Sequence, residues 1–96
     1  MVHHPALAAK RDAILTIAAR YGAANVRIFG SAAAGTSHPG SDIDLLVELG
    51  PERTLLDHVA LWQDLEDLLG CPVDVVVEGG ISPHLRDRIL AEAVPL

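Results

Sequence analysis

Two aspartates separated by one apolar residue, Asp42-Ile43-Asp44, form the most chemically loaded stretch of this sequence. They open the apolar run Leu45-Leu46-Val47, which reads as a strand. Side chains alternate across a strand, so both carboxylates share one face, with backbones roughly 7 Å apart. Like charges at that spacing repel, and Asp is depleted from strands. A shared divalent cation would compensate both, and Mg²⁺ takes such oxygen ligands. A strand start whose polar side faces water is the other reading of the alternation. Asp74, a further carboxylate inside the apolar run Val73–Val77, favours the first. On an adjacent strand in the right register, Asp42, Asp44 and Asp74 converge into a site for one or two Mg²⁺ ions.

Gly30-Ser31, directly after Val26-Arg27-Ile28-Phe29, supplies the second half of the chemistry. A glycine after a strand lets the backbone pass close to a phosphate. A short helix starting there offers free N–H groups, and the Ser31 hydroxyl can donate to a phosphate oxygen. By itself the dipeptide is an ordinary turn. No Gly-Lys-Ser/Thr follows, so this is not a P-loop, and it is not a dinucleotide fingerprint. Combined with the carboxylates, it points to nucleotidyl transfer. Metal ions would hold the triphosphate and stabilise both the attacking oxygen and the leaving pyrophosphate. Asp74 would help to activate the acceptor hydroxyl.

These residues need elements to position them. Met1 to Pro5, with His3-His4, reads as a solvated lead. Ala6 to Tyr21 reads as a helix with Lys10, Ile14, Ile17 and Tyr21 on one face, stopped at Gly22. Val26 to Phe29 is a strand, and Ala32-Ala33-Ala34 makes about one helical turn ended by Gly35. A loop with Pro39 follows, from Thr36 to Gly40. Asp42 to Leu49 is the second strand. Its Asp42, Asp44, Leu46 and Glu48 face one way, and Leu46 indicates that this face is partly covered. Gly50-Pro51 breaks the strand. Thr54 and Asp57 form a capping box for a helix to Leu69, with Leu55, Val59, Trp62, Leu65 and Leu69 as its buried stripe. Gly70 ends it. Val73 to Val77 is the third strand, Gly79-Gly80 a turn, and Ser82-Pro83 starts a last helix with Leu85, Ile89 and Ala93 facing inward. Helices between and around three strands give a small α/β domain, read as one domain over residues 1–96.

Composition narrows the partners. The chain has 96 residues and a formal net charge of −6. It carries no run of Lys and Arg, so direct binding to a nucleic-acid backbone is discounted. A nucleotide held through metal remains allowed, because the ion reverses the local sign. Tyr21, Phe29 and Trp62 are the only aromatics, which leaves the core to Leu, Ile, Val and Ala. Cys71 is the only cysteine and reads as a small buried hydrophobe. No stretch is apolar enough for a membrane span and no signal peptide is evident, so a cytoplasmic location is expected. His38, His58, His84 and Glu48 are given no catalytic role. Arg27 reads either as a neighbour of the phosphates or as a strand-end surface residue.

Gly30-Ser31, ten intervening residues and Asp42-Ile43-Asp44 together resemble the signature of the DNA-polymerase-beta-like nucleotidyltransferase superfamily. The flanking residues, Pro72-Val73-Asp74 and the stretch from Leu85 to Leu96 are similar to its smallest members, the minimal nucleotidyltransferases (MntA-like antitoxins). The resemblance covers nearly the whole chain. It implies a small mixed sheet flanked by helices, with Asp42, Asp44 and Asp74 as the Mg²⁺-binding and catalytic carboxylates and Gly30 and Ser31 as the phosphate-binding pair. It also implies a hetero-oligomeric partner, a HEPN-domain RNase toxin silenced by transfer of AMP from ATP to a toxin tyrosine. An acidic chain suits a basic partner. The family commonly carries an arginine where this chain has Ala34. A guanidinium beside the phosphates assists binding, so slow transfer is expected. The alternative reading is an antitoxin that neutralises its toxin by masking alone.

Overall fold

The computed structural model describes residues 5–34 and 42–96. The expectations for His3-His4, for Gly35 and for the loop with His38 lie outside the described residues. The element order is α1 (Pro5–Ala9), α2 (Arg11–Arg20), β1 (Ala23–Phe29), α3 (Gly30–Ala34), β2 (Ile43–Leu49), α4 (Leu55–Leu69), β3 (Val73–Val77), α5 (Pro83–Glu92) and β4 (Val94–Pro95). A single 3₁₀ turn, Glu78–Gly80, links β3 to α5.

The sheet is mixed, in the order β3-β2-β1-β4. β2 runs antiparallel to β1 and parallel to β3, as the α4 crossover between β2 and β3 requires. The sequence reading had three strands; the fourth is β4, antiparallel to β1. Two residues, one of them proline, carry no periodicity to detect. Proline also suits an edge, where no ladder N–H is needed. The Leu96 N–H donates to the Val26 carbonyl, and Leu96 is buried.

One sheet face makes the core. Ile28 of β1, Ile43, Leu45 and Val47 of β2, and Val73 and Val75 of β3 pack with Leu7, Ile14, Ala18, Leu61 and Leu65 from the helices. The opposite face carries Arg27, Phe29, Asp44, Leu46 and Asp74, which the pairing register sets side by side. Leu46 is fully buried there, more than the partial cover its sequence position indicated.

The expected first helix is broken at Lys10, whose φ of −111° and ψ of 15° leave the helical region. Its Nζ donates to the Leu68 carbonyl at 2.6 Å, placing a cation at the C-terminus of α4, where the helix dipole favours it. The capping at Thr54 is as expected: its N–H donates to Asp57 Oδ2 at 2.9 Å. Gly70 closes α4 in the left-handed conformation at φ +70°.

The buried stripe of α4 differs from the expected one. Leu61 and Leu65 are buried, whereas Leu55 and Leu56 are exposed and Trp62 is 39% exposed. The helix is apolar on more than one side, so spacing alone does not set its rotation. Two polar contacts turn it: Tyr21 Oη donates to Asp64, and His58 Nε2 donates to the Val75 carbonyl at 2.7 Å. Glu66 Oε2 accepts from the Val73 N–H at 2.9 Å, so α4 also covers backbone groups along the open side of β3. In α5, likewise, no residue is buried; Leu85 is exposed, and Ile89 and Ala93 are only half-buried.

Arg27 is not the surface residue that one reading made it. Its Nη1 bonds Glu78 Oε1 at 2.8 Å, with side-chain exposures of 12% and 20%. This hydrogen bond holds the Glu78 carboxyl below its ordinary range, against a smaller opposing effect of burial. A depressed carboxyl contributes stability that is present above the unfolded value, about 4.3 for Glu, and lost as pH falls through the folded one. Glu78→Gln is therefore expected to flatten the acid limb of stability. Urea midpoints measured as a function of pH check this, and an unchanged acid slope contradicts it.

Candidate active site

Phe29 ends β1 and Gly30 opens α3. Gly30 stands at φ +68°, a left-handed conformation that glycine adopts freely. A Cβ built there would run into the Asp44 carboxylate. The position thus needs glycine both for the turn and for the close approach of backbone to carboxylate. Ser31 follows inside α3.

The register gathers the predicted acids at one end of the sheet. Phe29 pairs with Asp44, and Asp44 pairs with Asp74 across the parallel β2–β3 ladder. Asp42 lies immediately before β2; it and Asp74 are exposed, while Asp44 is half-buried. The Asp44 carboxyl is raised from its ordinary value, first by burial, then by the charges of Asp74 and Asp42, and last by Glu92 of α5. An opposite charge is what such a cluster lacks. Among the described residues, no three His, Cys, Asp or Glu side chains lie close enough to hold a metal by themselves. Mg²⁺ does not need that, since it keeps several waters and binds through one or two carboxylates plus substrate phosphates. The donor set fits such a cation when phosphate oxygens complete it.

Two clefts flank the carboxylates. One, of about 530 Å³, is lined by Gly30, Ser31, Ala33, Ala34, Arg88 and Glu92. The other, of about 370 Å³, is lined by Asp42, Asp74, His58, Trp62, Glu66 and the start of β3. Asp42 and Asp74 thus line the second cleft beside Trp62, and Asp44 lies against Gly30 of the first. Trp62 was assigned to the core by its spacing; the structure puts it in the second cleft.

Arg88 and Glu92 of the first cleft are among the lining residues that sequence reasoning missed. The signal available was their i,i+4 spacing, which marks a helix face but not what that face looks onto. Ala34 and Ser31 both line the first cleft. Among the described residues, no helix is long and apolar enough to cross a membrane.

Known proteins resemble this chain in sequence and fold. The sequence model of the family described as "Nucleotidyltransferase domain" matches residues 11–96. "Putative protein adenylyltransferase MJ0435" of Methanocaldococcus jannaschii is 47% identical over 81 residues, 84% of this chain and 87% of that protein. "Protein adenylyltransferase MntA" of Thermococcus cleftensis is 33% identical, over 78% of this chain and 76% of its own. Among solved structures, a "putative minimal nucleotidyltransferase" superposes with a TM-score of 0.85 at 52% identity, covering 94% of this chain and 92% of that one. A toxin–antitoxin crystal structure with AMP-PNP shares the fold at a TM-score of 0.76 and 24% identity, over 88% of this chain and 69% of that one. With a family model spanning nearly all its length, the chain belongs to the nucleotidyltransferase domain family.

Proposed function

We propose that this protein is a cytoplasmic, Mg²⁺-dependent adenylyltransferase that acts as an antitoxin, moving AMP from ATP onto a tyrosine of a cognate HEPN-domain RNase. The observation that carries this reading is the direct pairing of Asp44 with Asp74 beside Gly30. Relatives named protein adenylyltransferases and a structural neighbour that is a toxin–antitoxin with AMP-PNP support the donor and the partner. In this reading Asp42 and Asp44 hold Mg²⁺, with Asp74 completing the carboxylate set. The ion, when bound, neutralises phosphate charge and lowers the pKa of the attacking hydroxyl.

The chain's own residues account for the rest. Gly30 and Ser31 seat the phosphates in the first cleft. The acceptor hydroxyl enters from the second cleft, on the Asp42 and Asp74 side. Its oxygen forms a bond to the α-phosphorus of ATP, the bond to the β-phosphate oxygen breaks, and pyrophosphate leaves. Asp74 takes the hydroxyl proton. Trp62, in the wall of that cleft, offers a face for an aromatic acceptor.

Masking without chemistry is favoured by one observation, the exposed Leu55, Leu56 and Trp62 of α4. One experiment separates the two. The chain is incubated with its HEPN partner, Mg²⁺ and ATP labelled at the α-phosphate. Label on the partner that disappears with Asp42→Ala or Asp44→Ala is the expected result. Tight inhibition of the partner with no label transferred overturns the catalytic reading.

A further inference from the structure

We infer that Arg88 binds the nucleotide's polyphosphate in the cleft floored by Gly30 and Ser31, supplying from α5 the guanidinium that α3 lacks. The inference rests on reading that cleft as the nucleotide site. A triphosphate entering there meets mostly like charge: Asp44 and, on α5, Glu92, in a chain of net charge −6. Of the described residues lining the cleft, Arg88 alone is cationic. Ala33 and Ala34 of α3 contribute only methyl groups to the lining.

The state of Arg88 fits this role better than a structural one. Its side chain is 76% exposed, and its Nε–H faces Glu92 Oε1 at 3.3 Å. An ion pair so exposed adds little to stability. No other hydrogen bond from its guanidinium is made among the described residues. Among the described residues its Nη groups thus have no partner, and they form a planar fork, the geometry that matches phosphate oxygens. Glu92, one turn along, holds the guanidinium at the cleft but also repels the incoming anion. α5 buries none of its own residues and packs on α3. Its place over the cleft is thus explained by what it carries there more than by the core it adds.

Calorimetric titration with Mg–ATP, and separately with adenosine, tests the inference. Charge-assisted hydrogen bonds contribute about 1.5–3 kcal/mol, so Arg88→Ala is expected to weaken Mg–ATP binding roughly 10- to 100-fold. Adenosine, with no phosphate, is expected to bind both proteins alike. Glu92→Gln should move Mg–ATP affinity the other way, by removing the opposing charge. Ala34→Arg added to Arg88→Ala should recover much of the loss, since both positions line one cleft. In transfer assays Arg88→Ala should raise the KM for ATP more than it lowers kcat. If wild type binds Mg–ATP and Arg88→Ala binds it equally well, the inference is wrong while the nucleotide reading stands. If the wild type takes up no Mg–ATP even with its partner present, the nucleotide reading falls and the role of Arg88 with it.

Discussion

Asp44→Asn is expected to abolish measurable transfer and, in metal-free buffer, to make the protein more stable. The first effect follows from the place of Asp44 between Phe29 and Asp74 and against Gly30. In the proposed mechanism an amide would present one oxygen and no charge to the cation, and the stabilisation of phosphate charge would be lost. That stabilisation is several kcal/mol, and at about 1.4 kcal/mol per tenfold the expected fall is roughly a thousandfold or more. The second effect has an independent basis. Burial and the neighbouring charges raise the Asp44 carboxyl above its ordinary value. A carboxyl whose folded value is raised binds its proton more tightly in the native state. Stability then declines as pH rises from the unfolded value through the folded one, so at neutral pH the ionised group weighs against the fold. Removing its charge should raise Tm by a few degrees in the presence of a chelator. Mg²⁺ with ATP should stabilise the wild type and leave Asp44→Asn unmoved. A variant that melts below the wild type in chelator, with transfer intact, would contradict both halves.

Leu45→Ala is expected to cost about 2–5 kcal/mol, the largest loss of stability from any single truncation considered. Leu45 is fully buried on the central strand β2, paired with Ile28 on one side and Val75 on the other. Its neighbours are held by backbone ladders on both flanks and cannot close readily on the space left behind. Small domains have net stabilities of about 5–15 kcal/mol, so this one change removes a large share. The urea midpoint should fall with little change in the slope. A midpoint within experimental error of the wild type would mean that the core is not centred on β2.

The residues of the proposed site could be picked out because their signals are local. Asp42 and Asp44 share a face by alternation alone, and a glycine after a strand marks a close backbone approach. The likeness of the whole chain to minimal nucleotidyltransferases rests on the same residues, and the family match bears it out. Asp74 needed one further step, the parallel pairing of β3 with β2. What escaped notice depends on contacts far apart in the chain. The rotation of α4 is set by Tyr21 and by the β3 carbonyl at Val75, neither of which its own spacing contains. The break at Lys10 is fixed by a carbonyl 58 residues away. Arg88 reaches the cleft only because α5 folds back onto α3.

Among the described residues, both margins of the sheet are partly covered. On one side, His58 and Glu66 occupy the Val75 carbonyl and the Val73 N–H that an incoming strand would need. On the other, β4 has two residues, and one of them, Pro95, has no N–H to give. A foreign chain therefore finds fewer free ladder groups there, which blunts the runaway stacking that bare β-margins invite. Whatever it embraces must come to its helices and clefts.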